Sequence, residues 1–375
     1  MQGKWSCLGR GANRSAMQHL LAITIGMGGL ASPRGAAQTR VDGPAPVVMV
    51  EAGQARAQVV LPAGASDEII AAAQVLIETI EKATGVRLTS ISDPAEPSAE
   101  AAIHVGATRY AGRQGLGLGT LDPEGFVICV PDAAHILLAG ASDWGTENAV
   151  LEFLERYVGV RWLFPGDLGA VVPRQASLAI PSVTVREEPA FRHRLFSGFG
   201  RGESAEVQRE QTQWARRNRM RGRIEFHHNL WRVFLPEDTT GTHPEFFPML
   251  AGERFLPAPP AGKTTAEDTT AQVSWQPCFT AAGSVEHAVR VICEAFAQRP
   301  DLLSYSLGIN DSSQYCQCPA CLQVDGTAPN AIGSRSISTS YYTWCNAVAS
   351  GVTVRFPGKT FGLLAYNGAY EPAPG

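Results

Sequence analysis

Beyond about residue 190 the chain alternates short apolar runs with amphipathic helical patterns, and that alternation points to a parallel sheet or barrel. The runs at 194–199, 223–227, 274–280, 303–309 and 360–366 read as strands. Between the third and fourth, Val285, Ala288, Val289, Ile292 and Phe296 share one helical face, with Ser284 as a cap and Pro300 as a stop. Between the fourth and fifth, Tyr342, Cys345, Ala349 and Val352 align on a second helix that ends before Pro357. The stretch 236–270 is rich in Pro, Gly and Thr and reads as a long loop over the barrel mouth. Five strands do not close an eight-stranded barrel. Two readings fit: the first half of a (β/α)8 TIM-type barrel whose remainder lies in a longer reading frame, or a smaller α/β sheet.

Residues 45–187 read as a separate α+β domain. Apolar runs at 47–50 and 58–61 predict strands, and Ile69, Ala73, Leu76 and Ile80 recur at helical spacing after Asp67 and Glu68, with Gly85 as the stop. A strand is expected at 103–106, and the runs at 126–130 and 136–139 flank Pro131-Asp132 as a hairpin. A helix comes next, from about Thr146, with Val150, Phe153, Leu154 and Tyr157 on one face and Gly159 at its end. A strand at 178–185 closes the domain, and Pro181 marks it as an edge. The predicted fold class is therefore α/β, an N-terminal α+β domain followed by an incomplete barrel from residue 190.

The first 37 residues read as a signal peptide. Lys4, Arg10 and Arg14 form a basic leader, 20–30 is an apolar core, and Gly35-Ala36-Ala37 offers a cleavage site. The mature protein is expected to be secreted or periplasmic, with no membrane partner after signal removal. A hydrophobic content of 45% with 18% charged residues supports a packed core, and a net charge of -4 gives no case for nucleic acid.

Loss of Cys7 with the signal leaves seven cysteines, an odd number that cannot pair completely. Cys316, Cys318 and Cys321 are spaced to fold around one tetrahedral cation, and Cys278, at the end of the third expected strand, is the natural fourth ligand. Disulfides among the same residues fit an exported protein equally well. Either a structural zinc or disulfides would pin the loop behind Asp311.

The stretch 145–163, from Gly145-Thr146-Glu147-Asn148 to Tyr157-Val158-Gly159-Val160-Arg161-Trp162-Leu163, is followed by Pro165-Gly166-Asp167-Leu168-Gly169 and Pro173. With His243-Pro244-Glu245-Phe246-Phe247, Asn310-Asp311 and Cys316-Gln317-Cys318-Pro319-Ala320-Cys321, it resembles the α-glucuronidases and the related DUF4838 family. The resemblance covers roughly 50–370 and implies an α+β domain beside a glycoside-hydrolase barrel. Carbohydrate is the implied substrate, with uronic-acid-bearing polysaccharide as one candidate, and its hydrolysis requires no cofactor. Read physically, the 145–163 stretch is a helix whose Phe153 and Leu154 bury and whose Trp162 packs against the next domain.

Barrel enzymes work at the C-terminal ends of strands, where this chain places Asn310 and Asp311, His227, His228 and Asn229, and Tyr366 and Asn367. Glycoside cleavage needs two carboxyl groups, and Asp311 is the best placed as catalytic acid. It equally suits a turn former ahead of its serines. The α-glucuronidases carry a glutamate near that strand end, so the aspartate is a departure, and their base comes from later strands. Asn310, His228 and Tyr366 are candidate substrate-binding residues, with Arg223 and Arg232 as cations for an acidic sugar. His228 bonded to backbone is the competing reading, as core packing is for Trp231 and Trp275. Asp311 is expected to lie partly buried beneath the 236–270 loop, facing the same mouth as His228. No second carboxylate is clearly placed, although Glu245 and Glu371 lie in plausible segments. A sugar-binding protein without catalysis is the alternative.

Overall fold

The computed structural model describes residues 45–196, 204–257 and 274–373. The signal sequence expected over 1–37, and part of the loop expected over 236–270, lie outside the described residues.

Strands β1 (Val47–Glu51), β2 (Gln54–Ala55) and β3 (Ala57–Leu61) lead into helix α1 (Asp67–Thr84). The Ser66 hydroxyl accepts from Ile69 N–H at 3.2 Å, and Gly85 at φ 77° ends the helix. Its apolar stripe, Ile69, Ala73, Leu76 and Ile80, is buried. Strands β4 (Ser90–Ser92), β5 (Ala101–Val105), β6 (Phe126–Val130) and β7 (His135–Gly140) come next, then helix α2 (Asp143–Phe153). Short strands β8 (Arg161–Trp162) and β9 (Ala170–Val171) pair, and β10 (Leu178–Ile180) and β11 (Val183–Glu187) complete this part.

A six-stranded mixed sheet runs β11-β6-β7-β5-β3-β4. Its β4, β3, β5 and β7 are parallel, and β6 forms antiparallel ladders with β7 and β11. The run expected as one strand at 178–185 is two. β10 pairs with β1 in a three-stranded sheet and β11 forms an edge of the larger one, because Pro181 between them has no N–H with which to continue a ladder. Helix α2 begins at Asp143, capped by Ser142, three residues before the expected start. Gly145 therefore lies inside it, and a Cβ there would stand 2.2 Å from Gly125 O, so glycine serves close approach rather than initiation.

Beyond this part lie helix α3 (Ala205–Arg217), the hairpin β12 (Met249–Leu250) and β13 (Glu253–Arg254), helix α4 (Ser284–Gln298), β14 (Ser304–Ser306), helix α5 (Pro319–Asp325), helix α6 (Ser338–Thr353) and β15 (Thr360–Gly362). Here the structure departs most from expectation. Among the described residues of the five expected strands, only those at 303–309 and 360–366 contain strands, three residues each, paired in parallel as Ser304↔Thr360 and Ser306↔Gly362. The segment 223–227 lies against this pair without a ladder, and a single parallel bridge, His228↔Gly308, comes after it. Serine side chains take the place of the ladder: Ser304 Oγ accepts from Glu225 N–H at 2.7 Å, and Ser306 Oγ donates to His227 O. Close passage needs Gly308, where a Cβ would stand 2.5 Å from Phe226 O.

The runs at 194–196 and 274–280 are irregular, and residues 197–199 lie outside the described set. The first binds as Arg194 N–H to Arg221 O, and the second through side-chain bonds from Gln276 to the backbone of Asn310 and Ser312. The loop expected over 236–270 contains the β12–β13 hairpin, turned by Ala251 and Gly252 at φ 48° and 88°. Gly283, not Ser284, occupies the cap of α4, and α6 buries Tyr341, Trp344, Cys345, Val348 and Val352, a face turned slightly from the expected one.

Two apolar cores result, one built from residues between Val47 and Ile180 and one from residues between Leu230 and Ala369. The intervening stretch is bound to the first by charge. Arg194 and Arg223 pair with Glu124, which is fully buried, and Arg223 also reaches Asp122 at 2.7 Å. Arg216 and Arg221 pair with Glu147, and Arg219 with Glu155. Trp214 Nε1 donates to Trp162 O at 3.0 Å, so Trp162 does meet the following segment. No helix among the described residues is long and apolar enough to cross a membrane.

Candidate functional site

Parallel pairing of β14 with β15 carries the residues beyond both strands to the same end. Asp311 and Tyr366 meet there: the Tyr366 hydroxyl donates to Asp311 Oδ1 at 3.0 Å. The His228 ring lies 5.6 Å from the Tyr366 ring, brought in by its bridge to Gly308. Three of the four expected sugar-site residues therefore share one neighbourhood. The bond to Asp311 raises the Tyr366 phenol above its ordinary pKa, so it remains a proton donor through neutral pH. His228 Nδ1 lies 2.5 Å from Ile309 O, a carbonyl that only accepts; Nδ1 therefore carries the proton and leaves Nε2 as the acceptor when the ring is neutral. The backbone-bonded reading of His228 thus holds for one nitrogen.

Asn310 is not a surface residue. It is fully buried, its Oδ1 accepts from Trp231 N–H at 3.0 Å, and its Nδ2 donates to Trp275 O at 2.9 Å. The expected contact with a sugar hydroxyl is replaced by a structural one. Asp311, expected beneath a loop, is exposed. Arg223 is taken up by Asp122 and Glu124 and is not a cation of this site. Trp275 is fully buried against Phe247 and offers no platform, whereas Trp231 is half-buried beneath Arg232, at 4.9 Å. Glu245 pairs with His243, and Glu371 accepts from Ala331 N–H at 2.8 Å.

His228 also borders a cleft of about 420 Å³, lined by Glu225, His227, Arg232, Tyr305 and neighbouring residues. Glu225 and Tyr305 were not legible as site residues, because each lies within an expected strand where alternation alone gives no direction. A second hollow of about 410 Å³ adjoins Tyr366, Asn367 and Tyr370. Asn367 adopts φ 53°, held by Asn367 Nδ2 to Ser313 Oγ at 2.9 Å and by Asn330 Nδ2 to its carbonyl at 2.7 Å.

The four cysteines singled out in the sequence also meet. Cys278, Cys316, Cys318 and Cys321 place all their sulfurs within 4.8 Å of one another. Cys278 Sγ lies 3.8 Å from Cys318 Sγ and 3.7 Å from Cys321 Sγ, and all four are free thiols, so the disulfide reading is not what the structure adopts. The sulfurs perturb one another. Hydrogen bonding from Cys278, and then from Cys321, holds Cys316 far below the usual thiol range, while Cys278 is pushed up chiefly by its bond to Cys316 and Cys321 chiefly by its bond to Cys278.

Fold and site together define a mixed α/β protein with a carboxylate, a phenol and an imidazole at the end of a short parallel strand pair. Residues 164–374 match the model of DUF4838, a domain of unknown function, and the chain belongs to that family. No curated protein matches it. Among solved structures it is similar to the Streptomyces plicatus N-acetyl-β-hexosaminidase, at 14% identity and TM-score 0.41, over 89% of this chain and 65% of that one. It is also similar to the GH20 β-N-acetylhexosaminidase of Streptomyces coelicolor A3(2), at 14% identity and TM-score 0.28, over 40% of this chain and 25% of that one. A family GH115 4-O-methyl-α-glucuronidase with specificity for decorated arabinogalactans aligns at 10% identity and TM-score 0.32, over 87% of this chain and 56% of that one. The chain thus spans between a quarter and two-thirds of the length of these three enzymes.

Proposed function

We propose that this chain is a glycoside-hydrolase-like protein of polysaccharide breakdown, exported from the cytoplasm, that takes carbohydrate where His228, Asp311 and Tyr366 meet. The observation that carries this reading is the 3.0 Å bond from Tyr366 to Asp311 beside the His228 ring. A pyranose presents hydroxyls at its rim and an apolar C–H face. The exposed Asp311 carboxylate and His228 Nε2 suit the hydroxyls, and the partly exposed rings of Tyr366 and Tyr370 suit the C–H face. Arg232 in the adjoining cleft suits the carboxylate of a uronic acid. In this reading Asp311 acts as the acid, and its partner carboxylate comes from elsewhere in the active protein. Binding without cleavage is the second reading, and the exposure of Asp311 favours it, because a proton donor at neutral pH usually depends on burial.

Calorimetric titration with a uronic-acid-bearing oligosaccharide and its neutral counterpart, together with a reducing-sugar assay, tests both. Tighter binding of the acidic sugar is expected, with Tyr366→Ala weakening it by about 1–3 kcal/mol. Cleavage that Asp311→Asn lowers by about 10²–10⁴-fold selects the hydrolase. Binding with no cleavage selects the second reading. Binding that neither substitution changes removes this face from the function.

A further inference from the structure

We propose that Cys278, Cys316, Cys318 and Cys321 bind one zinc ion as a closed tetrathiolate, and that the ion fastens the loop following Asp311 to the rest of the second core. Four thiolates at the usual Zn–S distance of about 2.3 Å stand about 3.8 Å apart along the edges of a tetrahedron. The separations of 3.8 and 3.7 Å from Cys278 match that edge, and the whole set lies within 4.8 Å. A disulfide needs about 2.05 Å, so every pair would have to close substantially and the convergence of four would be lost.

The surroundings are those of thiolates rather than of packed thiols. Met249 N–H donates to Cys316 Sγ at 3.3 Å, and Cys321 N–H to Cys318 Sγ at 3.5 Å. Thr280 Oγ1 lies 3.1 Å from Cys321 Sγ, 3.6 Å from Cys278 Sγ and 3.7 Å from Cys318 Sγ. Such outer donors stabilise charge on metal-bound sulfur. The same chain shows what a cysteine used as a small apolar residue looks like: Cys293 and Cys345 are buried in the large second core among Phe, Tyr and Trp side chains. The four form a cluster of their own, with Met249 and Ala281 as the other apolar residues packed against it among the described residues. A site with four protein ligands, three of them buried and Cys318 half-buried, leaves no position for substrate, which makes the ion structural, and zinc, with no redox chemistry, suits an exported protein.

The segments joined are far apart in sequence: β12 through Met249, the turn at Cys278–Thr280, and the loop that leaves Asp311 and reaches Cys316 five residues later. Gln276 Nε2 to Ser312 O at 2.8 Å and Ser312 Oγ to Ser274 O at 2.8 Å run between the same segments.

Elemental analysis and intact mass of the full chain, purified with neither chelator nor added reductant, test the proposal. About one zinc per chain is expected, with Cys293→Ser leaving that ratio unchanged and Cys318→Ser lowering it several-fold. Because Cys318→Ser can fail to fold, wild-type protein exchanged with Co²⁺ provides an independent reading: sulfur-to-cobalt charge-transfer absorption and the strong visible bands of a tetrahedral thiolate site. Iron in place of zinc, two disulfides by intact mass, or four thiols alkylated in the native protein with no metal recovered would each overturn the assignment.

Discussion

Asn310 and Asp311 are neighbours in sequence and opposite in environment. The chain leaves β14 through Leu307 and Ile309, both fully buried, and Asn310 is still inside, joining the Trp231 amide to the Trp275 carbonyl. One residue later the backbone bends, and the carboxylate of Asp311 faces solvent and Tyr366. Asn310→Ala would leave a buried donor and a buried acceptor without partners, at about 1–3 kcal/mol each. A loss of roughly 2–6 kcal/mol in denaturant titration is the expected outcome; a loss below about 1 kcal/mol would return Asn310 to the surface role that its position after an apolar run first implied. That run made the polar pair legible as a rim. Which member of the pair faced outward was not legible, because it depends on a backbone bend and on partners some 35 and 79 residues away.

Elements met expectation where their stabilising contacts are local and departed from it where those contacts are remote. Helix α1 carries its cap, its apolar stripe and its terminating glycine within 20 residues, from Ser66 to Gly85, and the stripe, the acidic first turn and the glycine were readable, whereas the Ser66 cap was not read. The hairpin β6–β7 is closed by Asp132, whose Oδ1 accepts from Ala134 N–H at 2.8 Å, again a local signal. The expected strands at 194–199, 223–227 and 274–280 had the right composition, but the backbone groups of their described residues bond to side chains or to loops, a choice no local pattern records. The junction of β7 with α2 is a contact between elements that only the assembled structure shows. A Cβ at Gly140 would lie 2.1 Å from Gly145 C and from Thr146 N, backbone atoms that cannot step aside, and Thr146 Oγ1 accepts from Gly140 N–H at 3.1 Å. Gly140→Ala is expected to cost at least about 3 kcal/mol or to prevent folding, read as a lower thermal midpoint or loss of soluble protein. Gly53→Ala is the control: open space surrounds that position, and the cost is confined to its φ of 76°.

For the whole molecule, ion pairs fasten arginines of the stretch between the two cores to the first core. Glu124 is fully buried between Arg194 and Arg223, and Arg216, Arg219 and Arg221 close on Glu147 and Glu155 around it. Removing one member of a buried pair leaves the other desolvated and uncompensated, at about 3–5 kcal/mol. Glu124→Gln deprives Arg194 of its carboxylate while Arg223 keeps Asp122, so it should lower stability by at most about that amount and expose 204–223 to protease. Equal protease resistance in the variant would mean that apolar contacts such as Trp214 on the first core hold the segment instead. The sequence by itself determined the features that spacing and composition control: a first part of strands and helices with its hairpin and helix-ending glycines, two later strand positions, and a set of four cysteines able to share an ion. Only the tertiary structure decided that the four sulfurs converge as free thiols, that Arg223 serves Glu124 rather than a sugar, and that the Tyr366 hydroxyl bonds Asp311 while Asn310 turns inward. The physical reason is range: helical and strand periodicities are set over a few residues, whereas a carboxylate's partner, or a thiol's, is set by which distant segments the cores bring together.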